Sequence, residues 1–417
     1  MAIITKNIGL SLGADLCWPA AYEALLKELD LQIPVGSDEV RFNCERITVE
    51  PYNLQAKPKY DLVLDRVTHW HYTSREWIKK ITLMDDVYVL NNPWAIQSVE
   101  KHTSYCAMMR LGMKVPETWM LPPKSYPENK DFQTTVKRYN KLFDLKSVGK
   151  EIGYPAFLKP YDGGGWVGVK QVKNHEDLTK AYDASGERVQ HLQAAVKDYD
   201  LFVRGIGIGP QINLIRYDPS APLHARYVVD FHFLEGEEWL RATKITRVIN
   251  AFFGWDFNSC EMLRSDNILH PIDFANACPD SQITSLHYHF PWLVIAKLKW
   301  SIFCAATDRK MKLNANWQPY FDIAEKDLPF LEKLDLYDEL ARAHFDTDRF
   351  SEFCKKHLSH VDEVAHAFFG SDTFRQIINE KVSALYPEHE IERFTDHFFG
   401  LVQFWRQTNG NQTETKS

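Results

Sequence analysis

Two carboxylates, Glu261 and Asp273, flank Ser265-Asp-Asn-Ile268, a turn-like run between two strand-like stretches. If the turn centres between Asp266 and Asn267, the numbers of opposed residues total about 533 or 534 in an antiparallel pair, and in the second register Glu261 stands opposite Asp273, on one face and about 5 Å apart. Like charges so placed destabilise a sheet unless a hard cation lies between them, and Mg²⁺ takes carboxylate and phosphate oxygens. The plain alternative is a carboxylate paired with a Lys or Arg, or a slipped register.

A second chemical signal is Tyr154-Pro-Ala-Phe-Leu-Lys159 followed by Asp162-Gly-Gly-Gly-Trp-Val-Gly168. A strand ends in a lysine, and Gly163, Gly164 and Gly165 let backbone N–H groups approach phosphate oxygens. Lys159 supplies a point charge for a phosphate. No Gly-Lys-Ser/Thr opens a helix here, so this is not a Walker P-loop, and a strand rather than a helix follows. A flexible hairpin is the bland reading of the same residues.

These residues need elements to hold them. Strand and helix signals alternate over the first 100 residues: strands at 3–12, 60–65 and 87–90, with helices at 19–29 and 75–84. That βαβ pattern favours a parallel sheet. Asn91-Asn-Pro-Trp94 opens a helix through about Leu111, and Gly112 stops it. The stretch from about Asn129 to Ile152 reads as helix. Strands are expected at 156–159, 167–172, 189–196, 200–208, 211–217 and 225–233, and a helix at 243–253. From about Asp327 the periodicity is helical, with Phe350, Phe353, Cys354, Leu358, Val361, Ala365 and Phe368 on one face.

In this order the motifs resemble the ATP-grasp superfamily, from about Asn91 to Asp280. Asn91-Asn-Pro-Trp-Ala-Ile96 with Glu100-Lys101 is similar to the segment leading to that family's first nucleotide-binding lysine. Leu111-Gly-Met-Lys-Val-Pro-Glu-Thr118, the Lys159 strand, the glycine loop and the acidic hairpin follow in order. The resemblance implies an α/β and α+β fold. Its expected parts are an N-terminal α/β domain over 1–100, a central lobe over 101–190, a C-terminal lobe over 191–324 and a helical extension over 325–417. It implies that ATP is gripped by Lys101, Lys159, Asp162 and the loop glycines through Gly168. Gln193 and Val196 would sit at the adenine linker, and Asp200, or Asp198, at the ribose. Mg²⁺, with Mn²⁺ able to substitute, would be held by Glu261, Asp273 and Asn276.

The family shows an acid, one residue, then Asn. Here Phe274 and Ala275 separate Asp273 from Asn276, so strict alternation puts Asn276 on the opposite face. A bulge, or a strand that ends at Phe274, restores it. The implied chemistry is ADP-forming ligation of a carboxylate to an amine through an acylphosphate, the substrates being small molecules such as amino acids or peptides. Arg247 and Lys244, at i,i+3 on a helix, are the candidates for the cation facing the acylphosphate. Arg241 is a further candidate, and Arg204 and Arg216 lie on expected strands, where they would contact substrate or serve the fold. A phosphotransferase on the same fold and a non-catalytic ATP-binding module are the alternatives.

Composition bounds the rest. The chain has 417 residues, 49 Lys plus Arg against 56 Asp plus Glu, and a net charge of −7. That speaks against a broad nucleic-acid footprint. The longest apolar runs, such as Trp292-Leu-Val-Ile-Ala296, are too short to span a bilayer. Seven cysteines without a C-x-x-C pair fit a reducing cytoplasm. His69/His71 and His287/His289 lack a third ligand for a metal. Gly205-Ile-Gly-Ile-Gly209 suggests close backbone packing. A homo-oligomer is compatible with all of this.

Overall fold

The structure, a computed structural model, describes residues 2–11, 15–48, 50–66, 71–95, 100–162 and 167–410. Gly13, His69, Ile96, Gly163, Gly164, Gly165 and the Asn411–Thr413 sequon lie outside the described residues.

Five strands form the N-terminal sheet: β1 (Ile3–Ser11), β2 (Gln32–Val35), β3 (Asp38–Ile47), β4 (Leu62–Leu64) and β5 (Tyr88–Leu90). Their order is β2-β3-β1-β4-β5, with β3, β1, β4 and β5 mutually parallel and β2 antiparallel to β3. The sequence reading missed β2 and β3, where alternation is weak and both strands are half exposed. The Cys17–Leu29 helix packs with Ile8, Leu10, Leu62 and Leu64 on one face. The Tyr72–Met84 helix packs Ile78 and Ile81 with Val63 and Val89 on the other. Burying both faces explains why β4 and β5 read as continuous apolar runs.

Four antiparallel strands make the second sheet: β6 (Thr118–Leu121), β7 (Ala156–Pro160), β8 (Lys170–Val172) and β9 (Gln190–Ala194), in the order β6-β9-β7-β8. It keeps its own core of Leu121, Val148, Ile152, Ala156, Leu158, Val172, Leu178 and Leu192. The boundary expected between 190 and 191 falls inside β9, whose partners are β6 and β7. The chain therefore leaves this sheet after Ala194. The single helix expected up to Ile152 is two, Lys130–Tyr139 and Leu145–Ile152, each begun by a capping side chain, Asn129 and Asp144.

The third sheet holds β10 (Leu201–Ile208), β11 (Gln211–Tyr217), β12 (Tyr227–Val228), β13 (Phe257–Ser265) and β14 (Ile268–Ala277), ordered β12-β11-β10-β13-β14. One face is covered by the Gly236–Phe253 helix. A Cβ on Gly205 would collide with Thr246 of that helix, and one on Gly207 with Asn250. The alternating glycines are there because backbone and helix touch.

The Phe290–Ala306 helix is apolar all round and buries 15 of its 17 residues. It joins the N-terminal sheet, the third sheet and the C-terminal helices in one core. The long aromatic helix expected from Phe350 is broken after His357 and restarts at Val361. Its aromatic stripe is core: Phe350, Leu358, Val361, Phe368, Phe374 and Phe398 are all buried. Among the described residues no helix is long and apolar enough to cross a membrane, and all seven cysteines are free.

Candidate active site

The β13–β14 hairpin turns at Asp266-Asn267, both with positive φ (52° and 59°), as a two-residue type I′ loop requires. Pairing runs without a slip from Ser265–Ile268 to Met262–Pro271. The register then shifts by one residue to pair Glu261 with Asp273, and by one more to pair Ser259 with Asn276. Ser259 and Glu261 are two apart on a strand and share a face, so their partners Asp273 and Asn276 share it too. The Asn258 side chain holds the irregular stretch. Its amide donates to Phe274 O (2.9 Å), and its oxygen accepts from Asn276 N (2.9 Å).

Arg204 completes the row. It lies opposite Glu261 across β10 and β13, on the face away from the Gly236–Phe253 helix. Its Nη1 stands 3.2 Å from Glu261 Oε1, and its Nη2 donates to Ser259 Oγ at 3.1 Å. The guanidinium lies about equally far from the rings of Tyr217 and Tyr227, at 5.5 and 5.4 Å.

Two lysines from the second sheet's side meet this row. Lys101 begins the Lys101–Arg110 helix and is 4 % exposed; its Nζ lies 2.6 Å from Asp273 Oδ2. Tyr105 of the same helix donates to Ile272 O at 2.8 Å, which docks the helix on β14. Lys159, buried on β7, donates to Gln193 Oε1 at 2.7 Å, and Gln193 Nε2 donates to Thr118 Oγ1 at 3.1 Å. His191 sits opposite Lys159, fully buried, with neither ring nitrogen hydrogen-bonded among the described residues.

The charges set each other. Burial lowers the Lys159 ammonium to about 8, with Lys101 adding to the fall while Asp273 and Glu261 oppose it. Burial, Lys159 and Lys101 together push His191 down to about 3. Burial raises Glu261 more than Arg204 lowers it. Burial pushes Asp273 up as well, but Lys101 and Lys159 outweigh it and hold its carboxyl below the usual range. The two opposed carboxyls thus move apart, and Asp273 stays ionised.

The donor set suits a hard cation. Two carboxylates and an amide share one face, and the buried Asp273 Oδ1 has no hydrogen-bond partner among the described residues. Lys101 provides the positive charge beside Asp273. No group of three His, Cys, Asp or Glu forms a metal cluster among the described residues, so the third ligand in such a site is the Asn276 oxygen or a ligand from outside.

Other expected residues fall elsewhere. Lys244 and Arg247 lie on the helix across the sheet from the acidic row. Lys244 pairs with Asp335 at 2.5 Å, and Arg247 reaches both oxygens of Asp338 at 2.6 and 2.8 Å. Both acids belong to the Phe330–His344 helix. The sheet separates these bases from Glu261, so the cation beside the row is Arg204. Arg241 donates to Asn267 O, and Arg216 pairs with Asp230. Asp200 is gripped on both oxygens by Arg264, at 3.0 and 2.7 Å. Asp162 faces Arg188 at 3.4 Å, Gly168 takes φ +79°, and Val196 is half-buried in the connection after β9. Strand parity could have found Arg204, since it needs only the β10–β13 register. A separate cavity of about 530 Å³ lies by Trp94, Phe252, Trp317 and Tyr320 and touches none of the charged row.

The chain, whose fold is mixed α/β with a helical C-terminal region, is similar to several solved structures. A D-alanine–D-alanine ligase from Bacillus anthracis complexed with ATP aligns over 73 % of this chain and 97 % of its own, at 14 % identity and a TM-score of 0.47. The D-alanyl-alanine synthetase A of Vibrio cholerae aligns over 73 % and 98 %, at 13 % and 0.48. A RimK domain ATP-grasp protein from Sphaerobacter thermophilus aligns over 70 % and 97 %, at 14 % and 0.45. Likeness at this level carries no argument about activity. In sequence, 43 residues are 44 % identical to a D-alanine–D-alanine ligase of Bacillus velezensis, a match that spans 10 % of this chain and 12 % of that ligase. No protein-family model matches the chain.

Proposed function

We propose that the protein is an ATP- and Mg²⁺-dependent ligase that joins a carboxylate to an amine and releases ADP and phosphate. The observation that carries this reading is the single row Arg204, Glu261, Asp273 and Asn276 facing Lys101 and Lys159. A purely structural sheet gains nothing from two opposed carboxylates. A site for a polyphosphate needs both the cation ligands and the lysines.

Glu261, Asp273 and Asn276 are the residues that would hold Mg²⁺, which when bound supplies charge neutralisation over the phosphate oxygens. Lys101 and Lys159 bind and orient the phosphates, and Gln193 keeps the Lys159 ammonium in place. In the first half-reaction a carboxylate oxygen bonds to the γ-phosphorus and the bond to ADP breaks. Arg204 sits where it can balance the growing negative charge. In the second, the amine nitrogen bonds to the acyl carbon, the bond to phosphate breaks, and the amine gives up a proton. The charged row is reached without a broad basic field, in keeping with the net charge of −7.

The test is turnover with Mg-ATP and paired small carboxylates and amines, amino acids and short peptides among them. One ADP and one phosphate should appear per bond formed, and with an ¹⁸O-labelled carboxylate one label should move into the phosphate. A phosphorylated product without free phosphate would replace this reading with a phosphotransferase.

A further inference from the structure

Beyond the phosphate-facing row, the structure holds a second built group of charges. β1 and β4 are adjacent and parallel. From β1 the chain crosses to β2 and β3 on one side, while from β4 it crosses to β5 on the other. Their covering helices lie on opposite faces. The carboxyl ends of β1 and β4 therefore form a topological switch point, where open α/β sheets leave a crevice for a ligand.

Two charged residues stand at these strand ends. Asp15 follows β1 and is buried; Arg66 follows β4. Asp15 is held from three sides: by Trp18 Nε1 at 3.1 Å, by Arg66 Nε at 2.5 Å and by the Gln282 amide. Arg66 Nη1 donates to Cys278 O at 2.8 Å. Its Nη2 makes no hydrogen bond among the described residues. The Arg66 side chain keeps 18 % of its surface while that of Asp15 keeps 1 %, so Arg66 is held through Nε and Nη1 and remains partly exposed. Lys297, with Nζ 3.7 Å from the Trp18 ring and 3.2 Å from Ser281 Oγ, sits buried beside it.

The distance to the charged row is short. Cys278 lies two residues beyond Asn276, which is about 7 Å along an extended chain. Asp280, fixed by Gln282 N (2.9 Å) and Ser285 Oγ (2.5 Å), is within electrostatic reach of Arg66 on one side and Arg204 on the other. A guanidinium matches a planar, singly charged carboxylate. Asp280 alongside disfavours a doubly charged phosphate.

We propose that Arg66, clamped by Asp15, anchors a second, unreacting carboxylate on the substrate and so selects amines that carry a free acid group. The proposal rests on the ligase reading for the identity of the reacting group, but the anchor is measurable without turnover. The probes are amino acids of both configurations, each as free acid and as carboxamide, with binding measured by equilibrium dialysis or thermal shift without nucleotide. At least one acid should bind, its carboxamide about 100-fold more weakly. Arg66→Ala should weaken acid binding by a similar factor and leave ATP binding unchanged. Arg66→Lys, which keeps a cation beside Asp15, should fold like the parent and lose most of the preference for acid over amide. Equal binding of acid and amide, unaltered acid binding in Arg66→Ala, or no acid binding at all overturns the anchor. Arg66-dependent acid binding in a protein that never releases ADP supports the anchor and sinks the ligase reading instead.

Discussion

Arg204 and Glu261 face each other across β10 and β13, guanidinium to carboxylate at 3.2 Å, on the sheet face that also carries Asp273. The pair explains how two opposed acids persist in one hairpin. Arg204 balances Glu261 and Lys101 balances Asp273. The arrangement leaves two carboxylates in place for a metal cation.

Removing either acid should leave the fold and disable the chemistry. Glu261→Gln and Asp273→Asn are each expected to lower ATP turnover per folded molecule about 100-fold, with a raised Mg²⁺ requirement and a lowered thermal midpoint, because Arg204 or Lys101 is left short of its partner. Initial rates across a Mg²⁺ titration test this, and undiminished rates in both variants would remove the acids from the site.

Nucleotide affinity should depend on pH through Lys159. Burial holds this ammonium at about 8 rather than near 10.5, so it is charged below that value and neutral above. ATP affinity is expected to be full near pH 7 and to weaken as pH rises through about 8. Lys159→Arg stays charged and should flatten that limb of the profile.

Acid should destabilise the fold through buried neutral histidines. His191 and His287 are each held near 3 by burial, against an ordinary 6.5. Below 6.5 the unfolded chain binds protons that the folded one refuses, so stability falls as pH falls. Each contributes a loss approaching about 1.4 kcal/mol per pH unit in that window. Urea midpoints at pH 7 and 5 should show the loss, and His191→Phe should show a smaller one.

The Arg247–Asp338 contact predicts a stability effect with no catalytic one. It is part-buried, Arg247 Nη1 donates to both Asp338 oxygens, and the contact ties the Gly236–Phe253 helix to the Phe330–His344 helix. Asp338→Asn should cost about 3 kcal/mol, because it leaves a guanidinium short of its partner. Turnover per folded molecule should be unchanged. A large fall in kcat at full folding would return Arg247 to the site.

Gly207 carries the backbone approach to Asn250. Gly207→Ala is expected to destabilise by about 2 kcal/mol, since the added methyl meets Asn250 and Ile212 in a packed layer. Chemical denaturation measures it, and a neutral result would mean that the helix can shift without loss.

Some of this was legible from residue order. The Asp266-Asn267 turn sets the hairpin register over a few residues and brings Glu261 near Asp273, and a one-residue shift after Met262 then pairs them. Lys159 stands at the end of a strand that local pattern identifies, whereas the helix expected from Asn91-Asn-Pro-Trp94 is described from Lys101. Such features depend on near neighbours along the chain. The common face of Asp273 and Asn276 does not, because it needs Asn258 to reach across and hold the irregular stretch. The side of the sheet on which Lys244 and Arg247 lie depends on which face the helix covers, a choice made by packing. Asp15 and Arg66 are 51 positions apart and meet only because β1 and β4 pair. Local propensity and spacing wrote the elements and the acidic pair into the order of residues. Which charges share a site was settled by contacts between distant segments, whose geometry exists only once the sheets have formed and been covered.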